Sequence, residues 1–290
     1  MIPHRDNQLV WVSHSSIGDF LKCPRSYFLR NMYKSKTTNR KMTIMSPPLA
    51  LGQAVHETLE SLSSLPQAER FKKPLSQRYL EAWEKVAGKK GGFRGPEREA
   101  EYKERGANMI IRILDNPGIL LNKTIKIKNK DFKPDFDLPH FRLSPADNIE
   151  LCGKIDWVEY IDADDSIHIV DFKTGKNEED ENSLQLLIYY LLAKNLQKRA
   201  VSKMSYWYID RDITPKQAIL PTADEASERV MEAAKRIKLA RQLNLLNCST
   251  NGCNNCLPYE AILRGSGELV GVSETNQDTS ILVTTAPGKY

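Results

Sequence analysis

Residues 167–176 read IHIVDFKTGK and set a carboxylate and an ammonium group two residues apart within an apolar, strand-like stretch. Side chains alternate along a β-strand, so Asp171 and Lys173 point to one face while Val170 and Phe172 point to the other. A buried charge is costly unless it is paired or coordinated. The stretch therefore predicts either a neutralising ion pair at a strand end or two groups that face a metal-bound substrate.

A second carboxylate lies upstream in the segment GKID, where Asp156 precedes Asp171 by fourteen intervening residues. The Asp-rich segment DADDS at 162–166 predicts a hairpin turn between them, and an antiparallel pair would bring both carboxylates to one end of a sheet. Two carboxylates and a lysine suit phosphodiester hydrolysis, because carboxylates hold a divalent ion that activates water and the ammonium group adds a fixed positive charge. Acidic residues are common at strand ends, so this interpretation needs further polar groups.

Two predicted helices supply such groups. Gln185 and Tyr189 are four residues apart in the helix that follows the Asp171 strand, so both project from one face. By itself Tyr189 would be interpreted as a core aromatic residue, but the polar pair is suited to hold the lysine or a DNA phosphate. His56 and Glu60 lie one turn apart in an earlier helix.

The cysteines form a second candidate site. Three of the five cysteines follow the pattern Cys248-x4-Cys253-x2-Cys256, which brings three thiolates within reach of one metal centre and by itself suggests zinc. Cys152 lies in a predicted strand and is interpreted as a small buried hydrophobe. Cys23 therefore remains as the fourth ligand, more than two hundred residues upstream.

The elements around these residues predict an α/β chain of 290 residues, long enough for one large domain or two small ones. Apolar periodicity predicts helices after residue 15 and after residue 47, and alternation predicts strands between 123 and 172. A helix over 182–200, two strands and a long helix over 224–247 follow. The charge-rich stretch 66–116 predicts a helical insertion, and the Gly, Ser, Thr and Asn content of 265–290 predicts a poorly ordered tail.

Composition narrows the class of protein. Hydrophobic residues make up 40% and charged residues 27%, as in globular proteins with a core. The net charge of +5 is compatible with a polyanionic partner without requiring one. The polar N-terminus does not resemble a secretion signal, and the longest apolar run, at 184–193, is too short to span a bilayer. These features predict a cytoplasmic protein with no membrane partner, in which disulfides are not expected.

The segments GQAVHETLE, GKID, VDFKTGK and QLLIY resemble, in order and rough spacing, the motifs of the RecB-like branch of the PD-(D/E)XK nucleases. The resemblance covers roughly residues 12–260, with 66–140 matching loosely, and implies a mixed sheet in an αβββαβ core. The metal ligands that it implies are His56, Asp156, Asp171 and the main-chain carbonyl of Phe172. The catalytic set that it implies is Asp156, Asp171, Lys173, Gln185 and Tyr189. Because imidazole suits Mn²⁺ better than Mg²⁺, we expect activity with both ions and a preference for Mn²⁺.

The segment SHSSIGDFLKCPRSYFLRNMY is similar to the N-terminal signature of iron–sulfur members of this branch, the AddB-type helicase-nucleases and the CRISPR-adaptation exonucleases. This similarity implies a [4Fe–4S] cluster on Cys23, Cys248, Cys253 and Cys256. In those families the longer gap in the C-terminal trio comes last, whereas here it comes first. The alternatives are therefore a [2Fe–2S] cluster or structural zinc. In each case the segment 248–263 would tie the two ends of the chain together.

The resemblance as a whole implies a metal-dependent DNA nuclease, an exonuclease on single-stranded DNA or DNA ends. It also implies one nuclease domain over 1–264, with the insertion at 66–116 and the tail at 265–290. Protein partners in a repair or CRISPR-adaptation complex are expected as well. The alternative is a catalytically inactive DNA-binding or scaffold module, against which the complete set of site residues counts.

Overall fold

The computed structural model describes residues 8–129, 138–273 and 275–283. The strands of these ranges are β1 (Val10–Val12), β2 (Met42–Ile44), β3 (His140–Ser144), β4 (Ile149–Cys152), β5 (Trp157–Ile161), β6 (Ser166–Lys173), β7 (Val201–Tyr208), β8 (Lys216–Ala218), β9 (Gly267–Val272) and β10 (Asp278–Leu282). The helices are α1 (His14–Lys22), α2 (Pro24–Tyr27), α3 (Pro47–Ser63), α4 (Leu75–Glu84), α5 (Pro96–Asp115), α6 (Gln185–Leu196), α7 (Ala223–Gln242) and α8 (Leu257–Ala261). No helix within the described ranges combines the length and apolar character needed to cross a membrane.

A four-stranded sheet in the order β5-β6-β7-β8 carries the predicted hairpin. β5 and β6 are antiparallel, with Trp157 opposite Val170, whereas β6 and β7 are parallel and are connected through α6. Parallel neighbours need such a crossover because the chain must return to the same end of the sheet. The sheet is mixed, and the predicted α/β class is confirmed.

The two faces of this sheet pack against different helical layers. Phe172 and Trp207 belong to a buried cluster with α3, α4 and α5, whereas Ile169 belongs to a cluster with α6 and α7. Truncating a buried aromatic residue such as Trp207 to Ala typically costs about 3–5 kcal/mol. Because side chains alternate along β6, Asp171 and Lys173 lie on the same face as Ile169, under α6.

Within the region 123–172, where the sequence predicts strands, the extended chain is interrupted between β4 and β5. Gly153 lies at this interruption, close against α6. A Cβ atom there would approach Leu192 Cδ1 to 3.0 Å, so a larger residue would force this side chain of α6 to shift. The interruption leaves Asp156 immediately before β5, at the end of the four-stranded sheet rather than within a strand.

Residues 66–116, where the sequence predicts a helical insertion, form a packed helical layer on α3. Tyr79 and Trp83 of α4 and Met109 of α5 are buried against that helix. The Arg70 guanidinium is also buried, and it donates to the Leu120 carbonyl at 2.8 Å and stacks over the Trp157 ring. Cation–π and carbonyl contacts compensate the cost of burying this charge.

Part of the stretch 265–290, in which the sequence predicts a poorly ordered tail, forms the strands β9 and β10. β10 pairs in parallel with β2 and antiparallel with β9. Asp278 is buried, accepts a hydrogen bond from the Thr38 hydroxyl and lies 3.5 Å from Arg40 Nη1. The buried residues of β10 are Asp278, Thr279 and Ser280. The strand therefore lacks the alternation of apolar and polar residues by which a sequence predicts a β-strand.

Candidate active site

The β5–β6 hairpin brings the two carboxylates together. The register that pairs Trp157 with Val170 sets Asp156 beside Asp171, and Asp156 Oδ2 accepts a hydrogen bond from the Phe172 backbone N–H at 2.9 Å. The N–H and C=O of one residue in an extended strand point to the same side. The Phe172 carbonyl therefore also faces Asp156, and three oxygen donors lie at one end of the sheet.

Helix α3 adds an imidazole to this group. His56 Nδ1 lies 3.4 Å from Asp156 Oδ2 and 3.8 Å from Glu60 Oε1. Each of these three residues offers a ligand atom, and the three atoms lie within 4.8 Å of one another. Burial lowers the pKa of His56, but the Asp156 charge and hydrogen bonds to Asp156 and Glu60 outweigh it and raise the pKa to about 10. The four-residue spacing of His56 and Glu60 is visible in the sequence, but this spacing alone was not enough to predict that Glu60 belongs to the site.

One amide connects the charged groups of β6. Gln185 Nε2 donates to Asp171 Oδ1 at 2.5 Å and to the Tyr189 hydroxyl at 3.1 Å. Its Oε1 accepts a hydrogen bond from Lys173 Nζ. The first residue of α6 therefore orients the carboxylate and the ammonium group together, as expected of a polar pair that holds the lysine.

The Asp171 carboxylate is the most deeply buried charge of the site, with 1% of the residue exposed. Burial and the neighbouring Asp156 carboxylate raise the pKa of Asp171 to about 7, against the opposing charge of Lys173. Asp171 Oδ2 lies 3.0 Å from Lys173 Nζ but accepts no hydrogen bond from the described residues. The near partner of this oxygen is therefore the Lys173 ammonium group, so this corner is suited to positive charge.

The donor set fits the metal ions that the sequence implies. Carboxylate and carbonyl oxygens are the ligands of Mg²⁺, and Mn²⁺ accepts the same oxygens together with an imidazole nitrogen. His56, Asp156, Asp171 and the Phe172 carbonyl provide these donors at the junction of α3 and the hairpin.

Glu179 is a polar neighbour that the sequence patterns did not single out. Its Oε2 lies 2.8 Å from Lys173 Nζ, and its backbone N–H donates to the Tyr208 hydroxyl at 3.0 Å. His14 Nε2, from the first turn of α1, lies 4.0 Å from Glu179 Oε1. Glu179 belongs to the loop between β6 and α6, where acidic residues follow no period, so no sequence signal distinguishes it from its neighbours.

A second group forms from the four predicted cysteines. Each of Cys23, Cys248, Cys253 and Cys256 offers a sulfur atom, and these atoms lie within 4.8 Å of one another. The distance between the Cys253 and Cys256 sulfur atoms is 3.8 Å. Cys152 is buried in β4 instead, where its thiol donates to the Val12 carbonyl at 3.5 Å. The predicted grouping of Cys23 with the C-terminal trio is confirmed.

Comparison with known proteins agrees with the motif resemblance. The sequence profile of the PD-(D/E)XK nuclease superfamily matches residues 11–262. The chain is also 26% identical over 209 residues to an ATP-dependent helicase/deoxyribonuclease subunit of Clostridium tetani (strain Massachusetts / E88). This alignment covers 61% of the chain and 17% of the relative, so the chain spans less than a fifth of that protein's length.

Proposed function

The chain belongs to the PD-(D/E)XK nuclease superfamily, and from this we propose that it is a metal-dependent DNA nuclease acting as an exonuclease on single strands or DNA ends. The observation that carries the proposal is the convergence of His56, Asp156, Asp171 and Lys173 at the end of the β5–β6 hairpin. The Clostridium tetani relative is named a helicase/deoxyribonuclease, which supports DNA as the substrate.

His56, Asp156, Asp171 and the Phe172 carbonyl would hold the divalent ion. When bound, Mn²⁺ or Mg²⁺ supplies a Lewis acid that polarises the phosphodiester and lowers the pKa of water. The Gln185 amide holds Asp171 and Lys173 in one arrangement before substrate binds, since it bonds to both. Such preorganisation avoids reorientation cost during the reaction.

Lys173 contributes a fixed positive charge beside the reacting phosphate. Burial lowers the pKa of Lys173, but the Asp171 and Glu179 carboxylates outweigh it and raise the pKa. The ammonium group therefore stays charged at neutral pH and stabilises the negative charge that develops on the phosphate oxygens. Tyr189 supports the same arrangement from one turn further along α6, through its hydrogen bond with Gln185.

The test is digestion of end-labelled single-stranded DNA with Mn²⁺, Mg²⁺, Zn²⁺ or no metal. We expect cleavage with Mn²⁺ and Mg²⁺, faster with Mn²⁺, and a loss of about 10²–10³-fold in Lys173→Ala, as for removal of a transition-state donor. Lys123→Ala is the matched control, because Lys123 pairs with Asp162 on the surface. Blocking the 5′ or the 3′ end separately reports the polarity, and circular DNA should resist an exonuclease.

If wild type and Lys173→Ala both bind DNA and neither cuts it with any of these ions, the chain is the inactive module instead. The relative is named as one subunit of a larger enzyme, and we propose that this chain also works with partner proteins in a repair, recombination or CRISPR-adaptation complex. Co-purification of a stoichiometric protein partner from the native cell would support this assembly.

We further propose that the four cysteines hold a [4Fe–4S] cluster with a structural role, tying the region of α1 and α2 to the end of α7. The resemblance to iron–sulfur nucleases supports this assignment. The sulfur spacing supports zinc as a second candidate, because a tetrahedral site with Zn–S bonds of about 2.3 Å separates its sulfurs by about 3.8 Å, as between Cys253 and Cys256.

The two centres are distinguished by metal analysis of anaerobically purified protein. Four iron atoms and four acid-labile sulfides per brown chain support the [4Fe–4S] assignment, and two of each indicate a [2Fe–2S] cluster. A colourless chain with one zinc contradicts the iron–sulfur proposal. Cys253→Ser should lose the colour and the metal, whereas Cys152→Ser should keep both.

A further inference from the structure

A groove of about 500 Å³ opens beside the candidate active site, between α3 and the segment 125–127. His56, Glu60 and Asp156 line the end that the site occupies, and Lys126 and Lys154 also line it. We propose that this groove binds a single DNA strand and that the two lysines contact the phosphates next to the one that is cleaved. The inference rests on the proposed nuclease function and names the path of its substrate.

The direction of the groove follows helix α3. His56, Glu60 and Ser64 are spaced by four residues, so they lie on one face at steps of about 6 Å. Lys154 Nζ forms an ion pair with Glu60, and Lys126 Nζ donates to Ser64 Oγ at 2.7 Å. Lys154 therefore lies beside the metal-binding end, at Glu60, and Lys126 lies one helical turn further along, as successive phosphates of a strand would.

The charges of the groove are complementary to such a strand. The carboxylates lie at the metal end, where a divalent ion offsets them, and Glu57 is paired with Lys85 at 2.6 Å. Lys126 is exposed, and its contact is with a neutral hydroxyl. No carboxylate of the described ranges forms an ion pair with Lys126, and we assign its positive charge to a phosphate of the strand.

The rest of the lining indicates how the strand is held. Ile125, Ile127, Pro139, Ile155 and Val158 form an apolar surface for sugars and base faces. The described lining residues include no Phe, Tyr or Trp, and the proposed affinity comes from the phosphate contacts of the two lysines. A cavity of this volume holds a ligand of drug size, which matches one or two nucleotides of a single strand.

Binding is measured in a Lys173→Ala background with Mg²⁺, by fluorescence anisotropy of a labelled oligothymidylate over a range of salt concentrations. Each phosphate contact to a single strand contributes a slope of about 0.7 in log K against log salt. Lys126→Ala and Lys154→Ala should each lower this slope by about 0.7 and weaken binding about fivefold at about 0.1 M salt. Lys123→Ala is the control from the same segment and should change neither quantity, because its ammonium group pairs with Asp162.

A second comparison separates a phosphate contact of Lys154 from neutralisation of Glu60. If Lys154 acts on phosphate, Lys154→Ala lowers the slope equally in a Glu60→Gln background. If Lys154 acts only by neutralising Glu60, Lys154→Ala leaves the slope unchanged in the Glu60→Gln background, and the assignment of Lys154 to a phosphate is overturned. Oligoadenylate should bind as tightly as oligothymidylate, and equal affinity for a blunt duplex would contradict the single-strand assignment.

The outcomes distinguish this inference from the proposed function. Unchanged affinity and slope in both lysine variants, with Lys173-dependent cleavage intact, overturns the groove and leaves the nuclease function standing. If the two lysine variants lower the slope of log K against log salt, but wild type cleaves no DNA with any of the ions, the groove is supported as a binding surface and the nuclease function is overturned. Thermal unfolding of each variant should match wild type, because both lysines are exposed.

Discussion

Replacing Cys23 by Ser should remove the link between the two ends of the fold. Cys23 lies between α1 and α2, whereas Cys248, Cys253 and Cys256 follow α7. A metal centre on all four therefore closes a loop of about 225 residues between Cys23 and Cys248. Serine has nearly the same size but is a poor ligand for iron or zinc, so the substitution opens the loop with little change in packing.

The magnitude follows from the length of that loop. Treating the centre as a permanent cross-link, the entropy removed from the unfolded chain is about 2.1 + 1.5R ln n, which for n of about 225 is about 18 cal/mol/K. At 25 °C this corresponds to about 5 kcal/mol of the free energy of unfolding. For a chain of this size about 1 kcal/mol shifts the melting temperature by roughly 2 °C, so Tm should fall by about 10 °C.

The assay is thermal unfolding followed by circular dichroism, together with metal content, for wild type, Cys23→Ser and Cys152→Ser. Cys152 is also buried, but its thiol contacts the Val12 carbonyl outside the group, so Cys152→Ser should keep its metal and lose no more than about 1–2 kcal/mol. Chelation should lower Tm in wild type and not in Cys23→Ser. A Cys23→Ser chain that melts within about 2 °C of wild type would refute the reasoning.

Three further substitutions test individual contacts. Gln185→Leu removes the amide that holds Lys173. A hydrogen bond to a charged group is worth about 1.5–3 kcal/mol, so the cleavage rate should fall about 10- to 150-fold. A rate within twofold of wild type would contradict this role of Gln185. Glu179→Gln removes one ion pair of Lys173, worth up to about 1 kcal/mol, so kcat should fall up to about fivefold, with Glu179→Asp intermediate. Glu159 accepts hydrogen bonds from His168 and Asn122; burial raises its pKa, but these bonds outweigh it and lower the pKa. The contribution of ionised Glu159 to the free energy of unfolding is therefore complete above about pH 4.5 and is lost as the pH falls further. Urea unfolding should show Glu159→Gln about 1.5–3 kcal/mol less stable than wild type at pH 7, with a difference that narrows below pH 4. A difference that stays constant with pH would exclude the charge of Glu159 as its cause.

Short-range geometry accounts for the parts of the site that the sequence predicted. Asp171 and Lys173 share a face because strand side chains alternate, and Gln185 and Tyr189 meet because residues four apart on a helix are neighbours. Both relations depend only on local backbone conformation. The hairpin around residues 162–166 extended this reasoning to Asp156, because a turn signal sets two strands side by side.

No local period connects the distant members of the two sites, so His56 was assigned from the family resemblance, and Cys23 was assigned by elimination among the cysteines and then supported by that resemblance. His56 lies a hundred residues from Asp156, and Cys23 more than two hundred from Cys248. Single residues of these types are common on helices, and nothing in their immediate neighbours indicates which distant segment they meet. The four-cysteine group in the structure agrees with that assignment.

Packing between separate elements decided the features that neither local geometry nor the family resemblance predicted. Glu60 and Glu179 join the site because α3 crosses the hairpin end and because the loop before α6 turns back onto Lys173. The β10 strand is ordered because β2 and β9 satisfy its backbone, although its side chains are mainly small and polar. The groove beside α3 exists only once the segment 125–127 lies against that helix. Each of these features joins residues far apart in the chain, and their proximity is set by the fit of whole elements rather than by any local pattern of residue types.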